Sequence, residues 1–322
     1  MNSTERVRRT ITGQDADRQP IYGWVGANHI DERLAERYGS VAAFEDKYEF
    51  DAAHIFGGPD PYDTPELKKL RDAGEEITPE IMLDLPHRDV NQAADYENAK
   101  KAIEFHKQRD RFCYVQTPGF FELFNGYMGI ENQLCYLAMY NDEIKELYTR
   151  QVEWTKRFAE NMVDLGADMV HISDDWGAQN SLMFSPRMWQ DMIFPNMKNL
   201  VEHIHRLGVF ASLHSDGCIR QVTDGLVDVG IDVVHPWQES AGMSYDTYLE
   251  KYQNKFGLLG GVCIQTTLGF GNYDRLEKEI RRVFGLLRHK RWIVCTTHFV
   301  QEHCSLDELV FAYDLIYKLA RE

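Results

Sequence analysis

Several residues that could do chemistry directly follow runs of sequence that predict β-strands. His214 and Asp216 follow the run 208–213, and His298 follows the run 291–296. Imidazole nitrogens and a carboxylate are chemically acceptable ligands for a divalent metal such as zinc. We therefore predict a metal site at these three residues, provided that the two strand ends meet. A single histidine at a strand end is more often an ordinary hydrogen-bonding group.

Three residues are candidates for proton transfer or for orienting a substrate: Asp174, Glu122 and His298. Asp174 and Asp175 follow the run 168–173, and only one of them is expected to face a cavity because side chains alternate along a strand. We predict that Asp174 acts on substrate, while Asp175 caps a turn or the next helix. Glu122 lies among aromatic residues in GFFELF, where loss of water would raise the pKa of its carboxyl group. A buried, paired carboxylate is the alternative for Glu122.

Other polar and aromatic side chains near predicted strand ends are candidates for binding substrate. They are Trp24, Asn28, His54, Phe120, Gln179 and Trp237. The aromatic rings could wall an aromatic substrate, although ordinary core packing explains them equally well.

The elements that must position these residues alternate along the chain. Eight short apolar runs are each followed by a longer stretch with apolar residues every three or four positions. The runs are 20–25, 50–56, 111–117, 168–173, 208–213, 231–235, 255–260 and 291–296. We predict an α/β fold, a single (β/α)8 TIM barrel domain over residues 1–322, whose catalytic groups lie at the carboxyl ends of the strands. Residues 57–110 are less regular and are interpreted as an inserted subdomain or lid.

The composition is that of a globular protein with an acidic surface. Hydrophobic residues make up 43% of the chain, charged residues 27%, and the formal net charge is −16. This charge argues against a nucleic-acid partner, because phosphate backbones are bound by clustered Lys and Arg. No signal-like or membrane-length apolar run is present, so we predict a cytoplasmic protein without a membrane partner. The six cysteines include no CxxC pair and are expected to be mostly reduced.

The block LHSDGCIRQVTDGLVDVGIDVVHPWQ resembles the central block of the uroporphyrinogen decarboxylase superfamily. Other blocks similar to those of the superfamily occur in the same order along the chain. They are PGFFELFNGYMGIENQL, DDWGAQNSLMFSPRMWQDMIFP, LLGGVCIQTTLGFG and THFVQEHCSLDELVFAYDLI. The resemblance covers most of the chain from about residue 16. It is specific for the superfamily, which contains porphyrinogen decarboxylases and zinc-dependent methyltransferases, but not for one reaction.

Particular residues favour the methyltransferases. True decarboxylases carry an Arg-bearing signature for tetrapyrrole acids, whereas the matching PIYGWVGANH has no arginine. Coenzyme M methyltransferases use His-x-Cys and a distant Cys for zinc, where this sequence has His214, Asp216 and His298. The chain thus keeps one of the three ligands and differs at the other two, which leaves open whether a metal is bound. A site with fewer thiolates is better suited to an oxygen donor than to a thiol.

The HSDG motif looks most like the methyltransferase I components of corrinoid-dependent O-demethylases. That likeness implies transfer of a methyl group from a methoxylated, aromatic compound to the cob(I)alamin of a separate corrinoid protein. Zn2+, or a protonated side chain, would stabilise the departing oxygen. This chain contains no cobalamin-binding segment, so the cobalamin belongs to the partner.

Two other functions stay open at this point. One is a metal-independent decarboxylase of the uroporphyrinogen decarboxylase type, acting on a smaller acid with Asp174 and His298. The other is a binding protein that keeps the barrel and has lost the chemistry. The sequence fixes neither the methyl donor nor the oligomeric state, and a homodimer is allowed.

Overall fold

The architecture is an α/β fold built around one parallel sheet, seen in a computed structural model that describes residues 1–26 and 30–322. Within those ranges the sheet has seven strands. They are β1 (Ala52–Ile55), β2 (Phe112–Pro118), β3 (Met169–Ser173), β4 (Phe210–His214), β5 (Val233–His235), β6 (Gly257–Val262) and β7 (Trp292–Thr296). Each strand pairs in parallel with the next one along the chain, in the order β1 to β7. This order brings all the carboxyl ends to the same side, as in a TIM barrel.

Helices connect consecutive strands and cover the outside of the sheet. The α-helices are α1 (Ser3–Thr12), α2 (Ile30–Tyr38), α3 (Val41–Lys47), α4 (Pro65–Asp72), α5 (Pro79–Asp84), α6 (Glu97–Lys107), α7 (Phe121–Met128), α8 (Ile130–Met139), α9 (Asn141–Asp164), α10 (Pro186–Met188), α11 (Phe194–Arg206), α12 (Thr223–Val229), α13 (Tyr245–Thr247), α14 (Tyr273–Leu287) and α15 (Leu306–Leu319). Short 3-10 or π turns cover Ala93–Tyr96, Trp189–Ile193, Arg220–Val222, Glu239–Ala241 and Tyr248–Tyr252. None of the helices in the described ranges is both long enough and apolar enough to span a membrane.

The strands are buried along most of their length, which explains their continuous apolar runs. The long helix α9 shows the complementary pattern, with Leu147, Trp154 and Phe158 on its buried face. At the start of α15, Ser305 accepts a hydrogen bond from the Glu308 amide, which satisfies one of the free N–H groups of the first turn.

The first predicted strand, over 20–25, is present only as a single bridge between Ile21 and Val294 of β7. The Tyr22 amide donates to the Val294 carbonyl, and the Ile21 carbonyl accepts from the Asp51 amide just before β1. This segment therefore lies between β7 and β1. It does not form a regular strand because side chains replace backbone partners on both sides. Asp51 Oδ2 accepts from the Ile21 amide, and Thr296 Oγ1 accepts from the Trp24 amide.

The inserted region 57–110 divides into two parts. Residues 56–61 border a cavity at the carboxyl ends of the strands. The helices of the region lie farther out: α5 packs against α9, and α6 packs against β1 and β2 as the crossover between them. Of the region predicted to be an inserted subdomain or lid, the short loop after β1 borders a cavity, and the helices cover the outside of the sheet.

Candidate active site

Two glycine loops at the carboxyl ends of β3 and β4 bring the acidic residues of the site together. Gly177 follows Asp175 in DDWG, and Gly217 follows Asp216 in HSDG. A Cβ on Gly177 would lie 2.4 Å from the Asp216 carbonyl oxygen, and one on Gly217 would lie 2.4 Å from the Gly177 carbonyl oxygen. Only glycine allows this backbone contact. In the contact, the Asp216 amide donates to Asp175 Oδ1 at 2.7 Å.

His214, Asp216 and His298 converge, with one ligand atom of each within 4.8 Å of the others. His214 Nε2 lies 4.0 Å from Asp216 Oδ1, and His298 Nε2 lies 3.9 Å from Asp216 Oδ2. Asp216 Oδ1 and His298 Nδ1 are buried without a hydrogen-bond partner. Unpaired buried polar atoms are uncommon, and a shared cation would satisfy the carboxylate oxygen. The donor set of two imidazoles and one carboxylate fits zinc, with room for a further ligand.

The charge state of these groups also fits a metal site. Burial lowers the pKa of His214 to about 3, with a smaller contribution from His298. Burial likewise lowers the pKa of His298. Both imidazoles are therefore neutral near pH 7 and keep a lone pair for a metal. Burial raises the pKa of Asp216 to about 7, and repulsion from Asp175 and Glu122 adds to the shift. The raised pKa means that no cationic side chain balances the charge of the Asp216 carboxylate.

A cavity of ≈ 490 Å³, called here the central cavity, lies beside this set. It reaches from the carboxyl ends of the strands along β1 toward Glu45 and His106. The residues around it are mainly aromatic or titratable: Tyr22, Gly23, Trp24, Val25, Gly26, Glu45, Ala53, His54, Phe56, His106, Gln116, Glu122, Ser173, Asp175, His214, His298 and Phe299. Its size and mixed lining match a pocket for a small molecule.

Two further cavities open at the same end. A polar cavity of ≈ 640 Å³ is bordered by Asp216, His298 and amide-bearing residues that include Gln179. A side cavity of ≈ 340 Å³ is bordered by residues 56–61 and shares Glu122 with the central cavity. Among the described residues that border any of the three, none is lysine or arginine.

Trp24 and His54 are the predicted substrate residues that border the central cavity. Their rings stack at 4.7 Å, and the Trp24 ring also lies 5.4 Å from His298 and 5.7 Å from His214. Trp24 is thus an aromatic wall next to the candidate metal ligands. Gln179 instead borders the polar cavity and donates to the Ser240 carbonyl.

Phe120 and Trp237 lie away from the three cavities, in the packed interior. Phe120 is fully buried, and its ring packs 5.8 Å from Tyr148 of α9. Trp237 packs 5.7 Å from Tyr248, and its indole N–H donates to the Ser244 carbonyl. The rings that border the central cavity in addition to Trp24 include Phe56 and Phe299. Asn28 lies outside the described residues.

The neighbouring acids Asp174 and Asp175 face opposite sides, as alternation predicts, but the orientation is the reverse of the expected one. Asp175 borders the central cavity, with Oδ1 3.7 Å from His214 Nε2. Asp174 is fully buried and accepts from the Glu122 amide at 2.7 Å. It therefore orders the start of α7. Burial raises the pKa of Asp174 to about 7.

Glu122, which the sequence suggested for proton transfer, lies at the cavity wall. Its Oε2 accepts from Ser173 Oγ at 2.8 Å. Burial and the nearby Asp175 carboxylate raise the pKa of Glu122. A carboxyl group with a raised pKa holds its proton longer and can deliver it to a departing oxygen.

Two buried histidines beneath the candidate metal ligands were not assigned a role from the sequence. His235 ends β5, and His171 lies within β3. With His214 they form a second group whose ligand atoms lie within 4.8 Å of one another. His214 pairs in register with His235, and His171 pairs with Ser212, two residues before His214. The presence of a histidine in three neighbouring strands was the sequence pattern that could have identified this group.

The uroporphyrinogen decarboxylase (URO-D) family model matches residues 120–318, which is more than half of the chain. The chain belongs to the uroporphyrinogen decarboxylase family. This family match includes the HSDG loop, the DDWG loop and His298. A search of curated proteins gave no significant match.

A solved structure supports the fold of this uroporphyrinogen decarboxylase family member. A methyltransferase from Methanosarcina mazei aligns with a TM-score of 0.72 and 15% identity, over 98% of this chain and 99% of that one. A B12-independent methionine synthase from Shewanella sp. W3-18-1 gives a TM-score of 0.44 at 14% identity, over 68% and 66% of the two chains. A sugar phosphate isomerase/epimerase from Parabacteroides distasonis gives 0.46 at 12%, over 94% of each. The first establishes the shared fold, and the other two are too distant to carry an argument.

Proposed function

We propose that this protein is a methyltransferase that moves a methyl group from a methoxylated aromatic compound to the cob(I)alamin of a separate corrinoid protein. The observation that carries the proposal is the convergence of His214, Asp216 and His298, of which His214 and His298 border a ring-lined cavity. Zinc held by these residues would supply a Lewis acid for the oxygen that leaves the methyl group. The methyltransferase from Methanosarcina mazei, which shares the fold, is consistent with this class of reaction.

The chain's own residues would bind the donor and manage the charge that develops. Trp24 offers an aromatic face beside His214 and His298, which suits the ring of a methoxylated aromatic compound. When the bond between methyl carbon and oxygen breaks, the electron pair stays on the oxygen. Glu122 lies on the same cavity and is suited to give that oxygen a proton.

The cavity lining favours this function over the decarboxylase that the sequence also allowed. A decarboxylase must bind a carboxylate, and bidentate arginine is the strongest side chain for that task. The described cavity residues include carboxylates but no lysine or arginine. An acid substrate would therefore find no lysine or arginine to pair with among these residues.

The proposal is tested by zinc content and methyl transfer in the purified protein and in His214→Ala. We expect about one zinc per chain in the wild type. We also expect transfer from methoxylated aromatics to cob(I)alamin, and loss of both zinc and transfer in the variant. His205→Ala is the matched control, because His205 lies on α11 and pairs with Asp232 away from the cavities. A zinc-free wild type, or carbon dioxide release without methyl transfer, would contradict the proposal.

A further inference from the structure

The charges around the three cavities are one-sided. Asp175 and Glu122 border the central cavity, Asp216 borders the polar cavity, and Asp60 borders the side cavity. A fifth carboxylate, Glu45, borders the far end of the central cavity, and Arg111 behind it is paired with both Glu45 and Asp46. No guanidinium or ammonium group in the described lining is available to a ligand.

The charge of a bound metal does not reverse this balance. A dication beside Asp216 and Asp175 is offset by those two carboxylates, so the set as a whole has no net positive charge. The other acidic groups along the walls, Glu122 and Asp60, add no positive charge. An anionic group on a bound molecule would lose its water without gaining a cation, which is unfavourable in a partly buried pocket.

We infer that the donor site selects uncharged methoxylated aromatics and rejects those that carry a carboxylate or phosphate. This inference deepens the proposed function, on which it rests. The cavity supplies aromatic faces from Trp24, Phe56 and Phe299 for the ring, and polar groups such as Gln116 for a hydroxyl. It offers no counter-ion for an acid.

A matched pair of probes tests the inference directly. We would use 2-methoxyphenol and 4-hydroxy-3-methoxybenzoate, which differ by one carboxylate, and measure their binding to the zinc-loaded protein by calorimetry at pH 7.5. The expected result is at least about tenfold tighter binding of the uncharged probe. Equal affinities, tighter binding of the acid, or binding of neither probe would overturn the inference.

A charge introduced at the cavity mouth gives the second measurement. Phe56 is 59% exposed and borders both the central and side cavities, so its replacement need not disturb the core. Phe56→Lys and Phe56→Met have similar stems and differ in charge. The lysine variant should bind the acid about fivefold or more tighter than the methionine variant, whereas the two variants should bind 2-methoxyphenol equally. No difference between the two variants would overturn the inference.

The binding measurements separate this inference from the proposed function. If 2-methoxyphenol binds selectively but no methyl group reaches cob(I)alamin, the charge selection stands and the methyltransferase proposal fails. If methyl transfer occurs equally well from both probes, the methyltransferase proposal stands and the charge selection fails.

Both ring nitrogens of His235 have a hydrogen-bond partner, and together these contacts indicate which nitrogen of His214 carries the proton. His235 Nδ1 lies 2.7 Å from His214 Nδ1, and His235 Nε2 lies 3.2 Å from the Thr296 carbonyl oxygen. A carbonyl only accepts, so the proton of His235 is on Nε2. His235 is 1% exposed among rings and the carbonyl, so its imidazole is neutral and Nδ1 accepts. His214 must then donate from Nδ1, which leaves its Nε2 lone pair free on the side of Asp216.

The distance also decides between a hydrogen bond and a metal shared by the two rings. Two nitrogens bound to one tetrahedral zinc, each at about 2.0–2.1 Å, lie roughly 3.3 Å apart. The 2.7 Å between the His214 and His235 nitrogens is a hydrogen-bond distance instead. A metal held by His171, His214 and His235 through these atoms would have to break that bond.

We propose that His235 is a positioning residue that fixes the His214 tautomer for metal binding at Nε2. Zinc affinity, measured by competition with a chromophoric chelator, tests it without any assay of activity. His235→Leu should bind zinc about 10–100-fold more weakly. His235→Asn keeps an acceptor for the His214 N–H and should stay within about threefold of the wild type. Equal affinity in all three proteins, or equal loss in both variants, would overturn the proposal.

Nitrogen NMR of the metal-free wild type provides the second measurement, which needs no variant to fold. Long-range proton–nitrogen correlations report which ring nitrogen carries the proton. The expected pattern is a protonated Nδ1 on His214 and a protonated Nε2 on His235. A His214 ring protonated at Nε2 would overturn the proposal.

Discussion

At the amino ends of the strands, buried carboxylates are paired with arginine, whereas at the carboxyl ends they are not. Asp51, just before β1, contacts Arg6 at 2.5 Å and Arg18 at 2.6 Å. Asp168, just before β3, contacts Arg8 at 2.9 Å and also pairs with Lys107. These ion pairs tie the helices and the first segment to the base of the sheet.

The carboxyl ends show the opposite pattern. Asp175, Asp216 and Glu122 lie close together, and burial raises the pKa of each of these carboxyl groups. Such an arrangement disfavours the folded state, and it persists where a site needs unbalanced charge. One end of the sheet is thus built for stability and the other for binding, the division expected of a barrel enzyme.

The largest expected effect is at the amino ends. Asp51→Asn should lower the free energy of unfolding by about 3–5 kcal/mol, because it leaves Arg6 and Arg18 without their buried counter-ion. Urea unfolding followed by tryptophan fluorescence measures the change. A loss below about 1 kcal/mol would remove the contrast between the two ends.

Zinc should have the next largest effect, and only at the carboxyl ends. At free zinc 100 times its Kd, the free energy of unfolding should rise by about 2.7 kcal/mol in the wild type. Asp51→Asn should keep this increment, since Asp51 lies at the other end of the sheet, and His298→Ala should lose most of it. The increment is measured by urea unfolding with and without zinc. Equal increments in His298→Ala and the wild type would place the zinc elsewhere.

A pH dependence follows from the buried acid Asp174. Burial raises its pKa from 3.8 to about 7, so the folded protein keeps a proton that the unfolded chain releases near pH 4. Between these two values, rising pH therefore destabilises the folded state relative to Asp174→Asn. The stability of the variant relative to the wild type should rise across that window by up to about 1.4 kcal/mol per pH unit.

Unfolding curves of the wild type and of Asp174→Asn, recorded in parallel from pH 4 to pH 8, measure this difference. Buried histidines also titrate, but they are common to both proteins and cancel in the comparison. A constant difference across the range would mean that Asp174 is ionised in the folded protein throughout.

The smallest effect is expected for Asp175→Asn, which makes the same chemical change as Asp51→Asn at the opposite end. The new amide oxygen can still accept from the Asp216 amide, and no cation loses a partner. The free energy of unfolding of the metal-free protein should stay within about 1 kcal/mol of the wild type. A loss as large as that of Asp51→Asn would show that Asp175 has a hidden counter-ion.

The sheet was predictable because each strand carries its own local signal. Apolar, β-branched runs locate the seven observed strands to within two residues at either end. The segment 20–25 carries the same signal, but its ladder depends on Asp51 and Thr296 side chains, which no local pattern reveals. The number of regular strands was therefore predicted less well than their order.

The convergence of His214, Asp216 and His298 was predictable because parallel strands place their carboxyl ends on one side. The direction of individual side chains was not. Alternation separates Asp174 from Asp175, but the register of β3 decides which one faces the cavity. Phe120 and Trp237 follow strands like the cavity residues, yet their rings turn toward α9 and the 248–256 region.

Residues 20–25 close the gap between β7 and β1, and this seam has a consequence for how the protein is made. The Trp24 amide bonds to Thr296 Oγ1, 272 residues away, so the two sides of the seam leave the ribosome far apart in time. Closing so long a loop carries an entropic penalty that local contacts do not repay. Until residue 298 has been synthesised, the growing chain has His214 and Asp216 but lacks His298. The three side chains of the candidate metal site can therefore meet only after both sides of the seam have been synthesised.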